Sequence, residues 1–112
     1  MTVSTAVRPT THDLIRFLLA RVDEDVAELK RLARRQGATA DPHPGVQAIA
    51  RLQAEAAAKR RMIGALQQLL VLRDQPLEKT VRDQATQMLR VLAMPYDGHA
   101  AYRPEWRPAG AR

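Results

Sequence analysis

The sequence predicts an all-α fold: a long antiparallel helical hairpin, a third helix, and an irregular aromatic C-terminal tail packed on them. Three observations carry this expectation. Apolar residues recur at steps of three and four over two long stretches, the period of one helix face. Alanine is abundant while β-branched and aromatic residues are scarce, which favours helix over strand. Clusters of proline and glycine divide the chain into three helical stretches and a tail. At 112 residues the chain suits one small domain.

Residues 1–11 read as a disordered arm. Pro9 marks the approach to a helix, and Thr10 precedes Asp13 by three, a capping-box spacing with Asp in place of Glu or Gln. The first helix, 13–36, carries Ile15, Leu18, Leu19, Val22, Val26, Leu29 and Ala33 in one stripe. Its acids lie early and its bases (Lys30, Arg31, Arg34, Arg35) lie late, which suits the helix dipole, and Gly37 is a natural C-cap. Residues 37–45 hold two prolines and two glycines and form a loop, with Pro44 suited to the first turn of the next helix. The second helix, 46–72, faces the core with Ile49, Leu52, Ala56, Ile63, Leu66 and Leu70, flanked by Met62 and Leu69. The third, 77–93, turns Leu77, Val81, Ala85, Met88 and Leu92 inward, and Met94-Pro95 stops it. The tail covers 95–108, and 109–112 read as a disordered end, so 12–108 form a single helical domain. The loop between the two long helices is short, which makes them antiparallel neighbours. Their core is thin, and apolar stripe left uncovered on them favours a homodimer.

Three charges fall on the edge of the apolar stripes. With Ile15 as zero and 100° per residue, Asp25 lies at about 280°, between Leu14 and Leu18. With Ile49 as zero, Lys59 lies at about 280° and Glu55 at about 240°. In a hairpin turning near residue 41, Asp25 and Lys59 come level. Asp25, Glu55 and Lys59 therefore suit a structural ion pair that sets helix register, with Glu55–Lys59 at i, i+4. The same three residues also suit a polar pocket for an anion or a partner.

Catalytic and metal chemistries find little support. Cysteine is absent, which excludes disulfides, thiolate zinc sites and a cysteine nucleophile. His12, His43 and His99 are isolated, and no metal-ligand spacing joins them. Asp23, Glu24, Asp25 and Glu28 have the spacing of a paired-carboxylate magnesium helix, but no second acidic motif completes it. Ser4 is the sole serine, and no phosphate-cradling glycine loop exists. The expectation is a protein that is not an enzyme and holds no cofactor.

The formal net charge of +6 attracts polyanions. The surplus is spread evenly, however, at +2 in each of 1–37, 38–75 and 76–112. No short helix-turn-helix pair is evident. No apolar run is long enough to span a bilayer, and residues 1–11 lack a signal-peptide core. A cytoplasmic location with no membrane partner is expected.

The tail holds three of the four aromatic residues. Tyr96, His99, Tyr102, Trp106 and Arg107 are the candidate interaction residues, because Trp, Tyr and Arg are favoured anchors of protein interfaces. The other reading has the aromatic rings lying back across the helices to cap the thin core.

These residues carry a resemblance. The run Leu89-Arg90-x-Leu92-Ala93-x-Pro95-Tyr96-x-x-His99-x-x-Tyr102-x-x-x-Trp106-Arg107-Pro108 resembles the C-terminal signature of a domain-of-unknown-function family. Its members are small proteins of Streptomyces-like actinobacteria and their phages. Phe17-Leu18-x-Ala20-Arg21-x-Asp23-Glu24-Asp25 resembles that family's first helix, and Arg51-Leu52-x-x-Glu55-x-x-Ala58-Lys59-Arg60 its second. The family's Gly-Pro-Trp turn and His-Ile-Ala-Arg-His segment have no counterpart in 37–50. Fifteen arginines against three lysines, with abundant alanine, suit the GC-rich genome such an origin implies. The resemblance implies shared architecture and origin and no activity. The leading expectation is a non-enzymatic protein–protein interaction or accessory module, with itself or an unknown protein as partner. The alternative is a nucleic-acid-associated regulatory or phage accessory protein.

Overall fold

The structure, a computed structural model, describes residues 9–37, 44–71 and 78–108. Helix α1 spans Pro9–Gly37, α2 spans Pro44–Val71 and α3 spans Lys79–Ala93. Two 3-10 turns follow, Met94–Tyr96 and Pro104–Trp106. Among the described residues there is no strand, and the fold is all-α. None of these helices is long and apolar enough to cross a membrane.

Both long helices open on proline. Proline has no N–H to leave unsatisfied in a first turn, and its φ is already helical. Residues 9–11, expected in the arm, are therefore helical, and α2 starts at Pro44 instead of 46. The rest of the arm (1–8), the end 109–112 and the break at 72–77 lie outside the described residues. Glu78 is extended (φ −61°, ψ 147°) and caps α3 without a side-chain hydrogen bond, so α3 begins at Lys79 and not at 77. The tail is more regular than expected. Each of its 3-10 turns carries a proline in its first two positions.

The core sits where all three helices and the tail meet. Leu14, Leu18 and Val22 of α1, Ile63 of α2 and Leu89 of α3 are its fully buried large side chains. Ile15, Phe17, Ala93 and Trp106 complete it, with Leu19, Val26, Leu66, Leu70 and Leu92 packed around it. Two expectations about facing fail. On α3 the buried residues are Ala85, Leu89 and Ala93, while Val81 and Met88 are exposed. The helix is turned by roughly 70° from the expected stripe, at about 100° per residue. Small Ala85 and Ala93, either side of Leu89, let α3 approach closely, and the bulkier stripe is left outside. On α2, Leu52 and Met62 are about half exposed.

Replacing Leu18 by alanine empties the centre of this core and should cost about 2–5 kcal/mol. Leu52→Ala, at 48% exposure, should stay within about 1 kcal/mol. Urea denaturation followed by far-UV circular dichroism measures both.

Candidate functional site

The tail is a series of short turns, each closed by a backbone hydrogen bond. The N–H groups of Asp97, His99, Tyr102, Trp106 and Arg107 each donate to the carbonyl three residues earlier, at 2.9–3.2 Å. Four of its rings converge on one side chain. Phe17 of α1 lies 5.1 Å from the Trp106 ring, 5.6 Å from His99, 6.0 Å from Tyr102 and 6.4 Å from Tyr96. Three of these contacts are edge-to-face, the geometry that ring quadrupoles favour. Tyr102 stands edge-on to Trp106 at 5.7 Å.

Charged groups pin the rings from outside. Arg103 pairs with Asp13 of α1 at 3.1 Å, and its guanidinium lies 5.5 Å from the Trp106 ring centre. Arg21 pairs with Glu24 at 3.0 Å, lies 5.1 Å from the Phe17 ring centre and brings Nη1 to 2.6 Å from His99 Nε2. The Ala101 N–H donates to His99 Nδ1 at 2.9 Å. Trp106 Nε1 and the Tyr102 hydroxyl are buried without a hydrogen-bond partner, so no side-chain hydrogen bond holds those two rings. Trp106 is 3% exposed, Tyr96 and Tyr102 are half-buried, and His99 and Arg107 are exposed.

Asp25 and Lys59 come together, with a correction. No direct ion pair joins them. The Tyr96 hydroxyl sits between: Lys59 Nζ donates to it at 3.0 Å, and it donates to Asp25 Oδ2 at 2.7 Å. Among the described residues, the ion pair that does link the two helices is Asp23–Arg60. Glu55 makes no ion pair with Lys59 and stays exposed beside a shallow pocket of about 280 Å³ shared with Asp25, Leu29, Leu52 and Lys59. The reason is geometric. A hydroxyl can accept from the ammonium and donate to the carboxylate at once, which satisfies both edge charges without forcing them into contact. Burial pushes the Tyr96 phenol above its ordinary range, and the Asp25 carboxylate it serves pushes the same way. Helical periodicity could not find this third member, because Tyr96 lies 71 residues from Asp25.

A second feature lies away from the tail. Met62, Ala65 and Leu66 of α2 with Gln87, Met88, Val91 and Leu92 of α3 line a groove of about 420 Å³. None of these seven residues is charged. Met62 is 50%, Met88 56% and Val91 49% exposed. Among the described residues, no three of His, Asp and Glu converge as a metal site would require.

The arrangement defines a class: a small all-α protein, a helical hairpin with a third helix, closed by an aromatic tail. The chain belongs to a family of unknown function (DUF6221), whose family model matches residues 11–108. The matched span runs from the second residue after Pro9 to the end of the described tail. No curated protein and no solved structure matches the chain.

Tyr96→Phe removes the hydroxyl between Asp25 and Lys59. Stability should fall by about 1–3 kcal/mol, the cost of leaving part-buried polar groups unpaired. The raised phenol pKa also sets a sign. Between its ordinary value of 10.0 and the raised one, the folded state holds a proton that the unfolded state has released. Tyr96 therefore contributes stability that is complete below about pH 10 and lost as pH rises through the folded value. Alkaline denaturation curves of wild type and Tyr96→Phe should converge above that pH.

Proposed function

We propose that the protein is a non-enzymatic interaction module whose α2–α3 groove takes an apolar helical ridge. The observation that carries this reading is the groove itself, with uncharged walls and two half-exposed methionines. A helix that keeps apolar residues on its solvent side is one that packs against a second layer. Methionine is flexible and polarisable, which suits a surface that adapts to a helix. The burial of Trp106 supports reading the tail as the core's cap, leaving His99 and Arg107 on its surface. A cytoplasmic protein of actinobacterial or actinophage origin remains part of this reading, on the compositional skew and the tail residues.

A Met62→Glu, Met88→Glu double variant puts two carboxylates into the groove. Binding of an apolar fluorescent probe such as anilinonaphthalene sulfonate should fall several-fold relative to wild type, at equal helicity. Equal probe fluorescence in the two proteins would end this reading.

One observation favours a second reading, nucleic-acid association. The charge that is even along the sequence is uneven in space. Tyr96 of the tail hydrogen-bonds to Asp25 and Lys59 of the hairpin. Beyond it, the described residues 27–37 and 44–55 carry Lys30, Arg31, Arg34, Arg35 and Arg51 against Glu28 and Glu55. Asp41 belongs to the connection outside the described residues. Arg31 pairs with Glu28, and the other four bases make no ion pair among the described residues. On this reading, random duplex DNA binds at low ionic strength and is released as salt rises. Fluorescence anisotropy with no change at low salt would remove it.

A further inference from the structure

We infer that the occupant of the α2–α3 groove is the same face of a second copy, so that two chains form a four-helix layer about a two-fold axis. This rests on the groove being a docking surface, and it names the partner.

The spacing of the exposed residues points there. On α3, Val81, Gln84, Met88 and Val91 are separated by three, four and three residues. All but Gln84 are apolar, and Val81, Met88 and Val91 are among the exposed large hydrophobics. On α2, Ala58, Met62, Ala65 and Leu69 are separated by four, three and four, with Ala58, Met62 and Ala65 exposed. Alternating three-and-four spacing is the seam of helices that pack side by side at a shallow angle. Neither seam is the one its helix uses inside the chain. The inward face of α3 is Ala85, Leu89 and Ala93, and that of α2 is Ile49, Ala56 and Ile63. Both helices thus carry two apolar faces, one spent on the core and one left open.

The two open seams are complementary to each other. The α2 seam alternates alanine with larger side chains, while the α3 seam is bulky at Val81, Met88 and Val91. Placing α2 of one copy on α3 of the other seats the ridge at the alanines, and a two-fold axis makes the contact twice. Charge is compatible with the same face. Two chains of net +6 repel on approach, and the seven groove residues hold no charge, so burying them desolvates no ion. The basic residues of α1 described above lie outside both seams, so pairing leaves them free.

Light scattering on the full chain tests this across concentration and salt. Wild type should show twice the monomer mass, and added salt should strengthen the pairing by screening the +6 charges, opposite in sign to nucleic-acid release. Met88→Glu should weaken association at least tenfold at unchanged helicity. Ala20→Glu, on an exposed position of α1, should leave it intact. Orientation is read by disulfide trapping, since the chain has no cysteine of its own. A Met62→Cys chain mixed with a Met88→Cys chain should form the mixed disulfide in preference to either symmetric one. Wild type that stays monomeric at millimolar concentration overturns the inference, as does a dimer that survives Met88→Glu. A dimer that prefers the symmetric disulfides overturns the α2-on-α3 arrangement. A monomer whose probe binding is still lost on Met62→Glu, Met88→Glu keeps the docking groove and removes only self-pairing; a monomer with no such loss removes both.

Discussion

The structure depends on covering Phe17. On the α1 wheel this residue falls at about 200°, well off the main apolar stripe centred near Ile15 and Leu18. The hairpin alone therefore cannot bury it. A large aromatic side chain left in water at that position would forfeit much of the stability that its burial supplies, and burial of such a ring involves about 150–250 Å². The chain meets the demand by turning back after α3 and laying His99, Tyr102 and Trp106 against Phe17. Pro95 and Pro104 make that return possible by fixing two tight turns. Arg21 and Arg103 then close the outer side of the aromatic cluster from α1 and from the tail.

The same return solves an electrostatic problem. Asp25 and Lys59 sit on the edges of two apolar stripes, where a bare pair would lose hydration for an attraction that often does no more than offset it. Tyr96 arrives between them at the first turn of the tail and gives each charge a hydrogen-bond partner. One hydroxyl thereby ties α1, α2 and the tail together. The Asp23–Arg60 pair, being exposed, adds little to stability by comparison.

The facing of α3 leaves apolar side chains outside. It turns Ala85, Leu89 and Ala93 inward and keeps Val81, Met88 and Val91 outside. The exposed seam and the groove beside it follow from that rotation. So the packing that completes the core also leaves an apolar surface exposed between α2 and α3. Lys30, Arg34 and Arg35 of α1, which make no ion pair among the described residues, follow Asp25, the residue of α1 that Tyr96 reaches.

Much of this was legible in the residues alone. Periodicity in α1, with Leu18 and Val22 on one stripe, and the proline and glycine breaks determined an all-α hairpin with a third helix. The wheel brought Asp25 and Lys59 to one level, because antiparallel register follows from loop position. Concentration of aromatic residues after residue 95 marked the tail as the distinctive segment. Tertiary structure alone decided the rest. The role of Phe17, the insertion of Tyr96 between two charges, and the facing of α3 depend on contacts between residues far apart in the sequence (37 residues for Lys59–Tyr96 and 71 for Asp25–Tyr96), or on which of two apolar faces finds a partner. A helical wheel ranks faces by hydrophobicity, whereas packing ranks them by fit, and on α3 two small alanines around Leu89 fit better than a larger stripe.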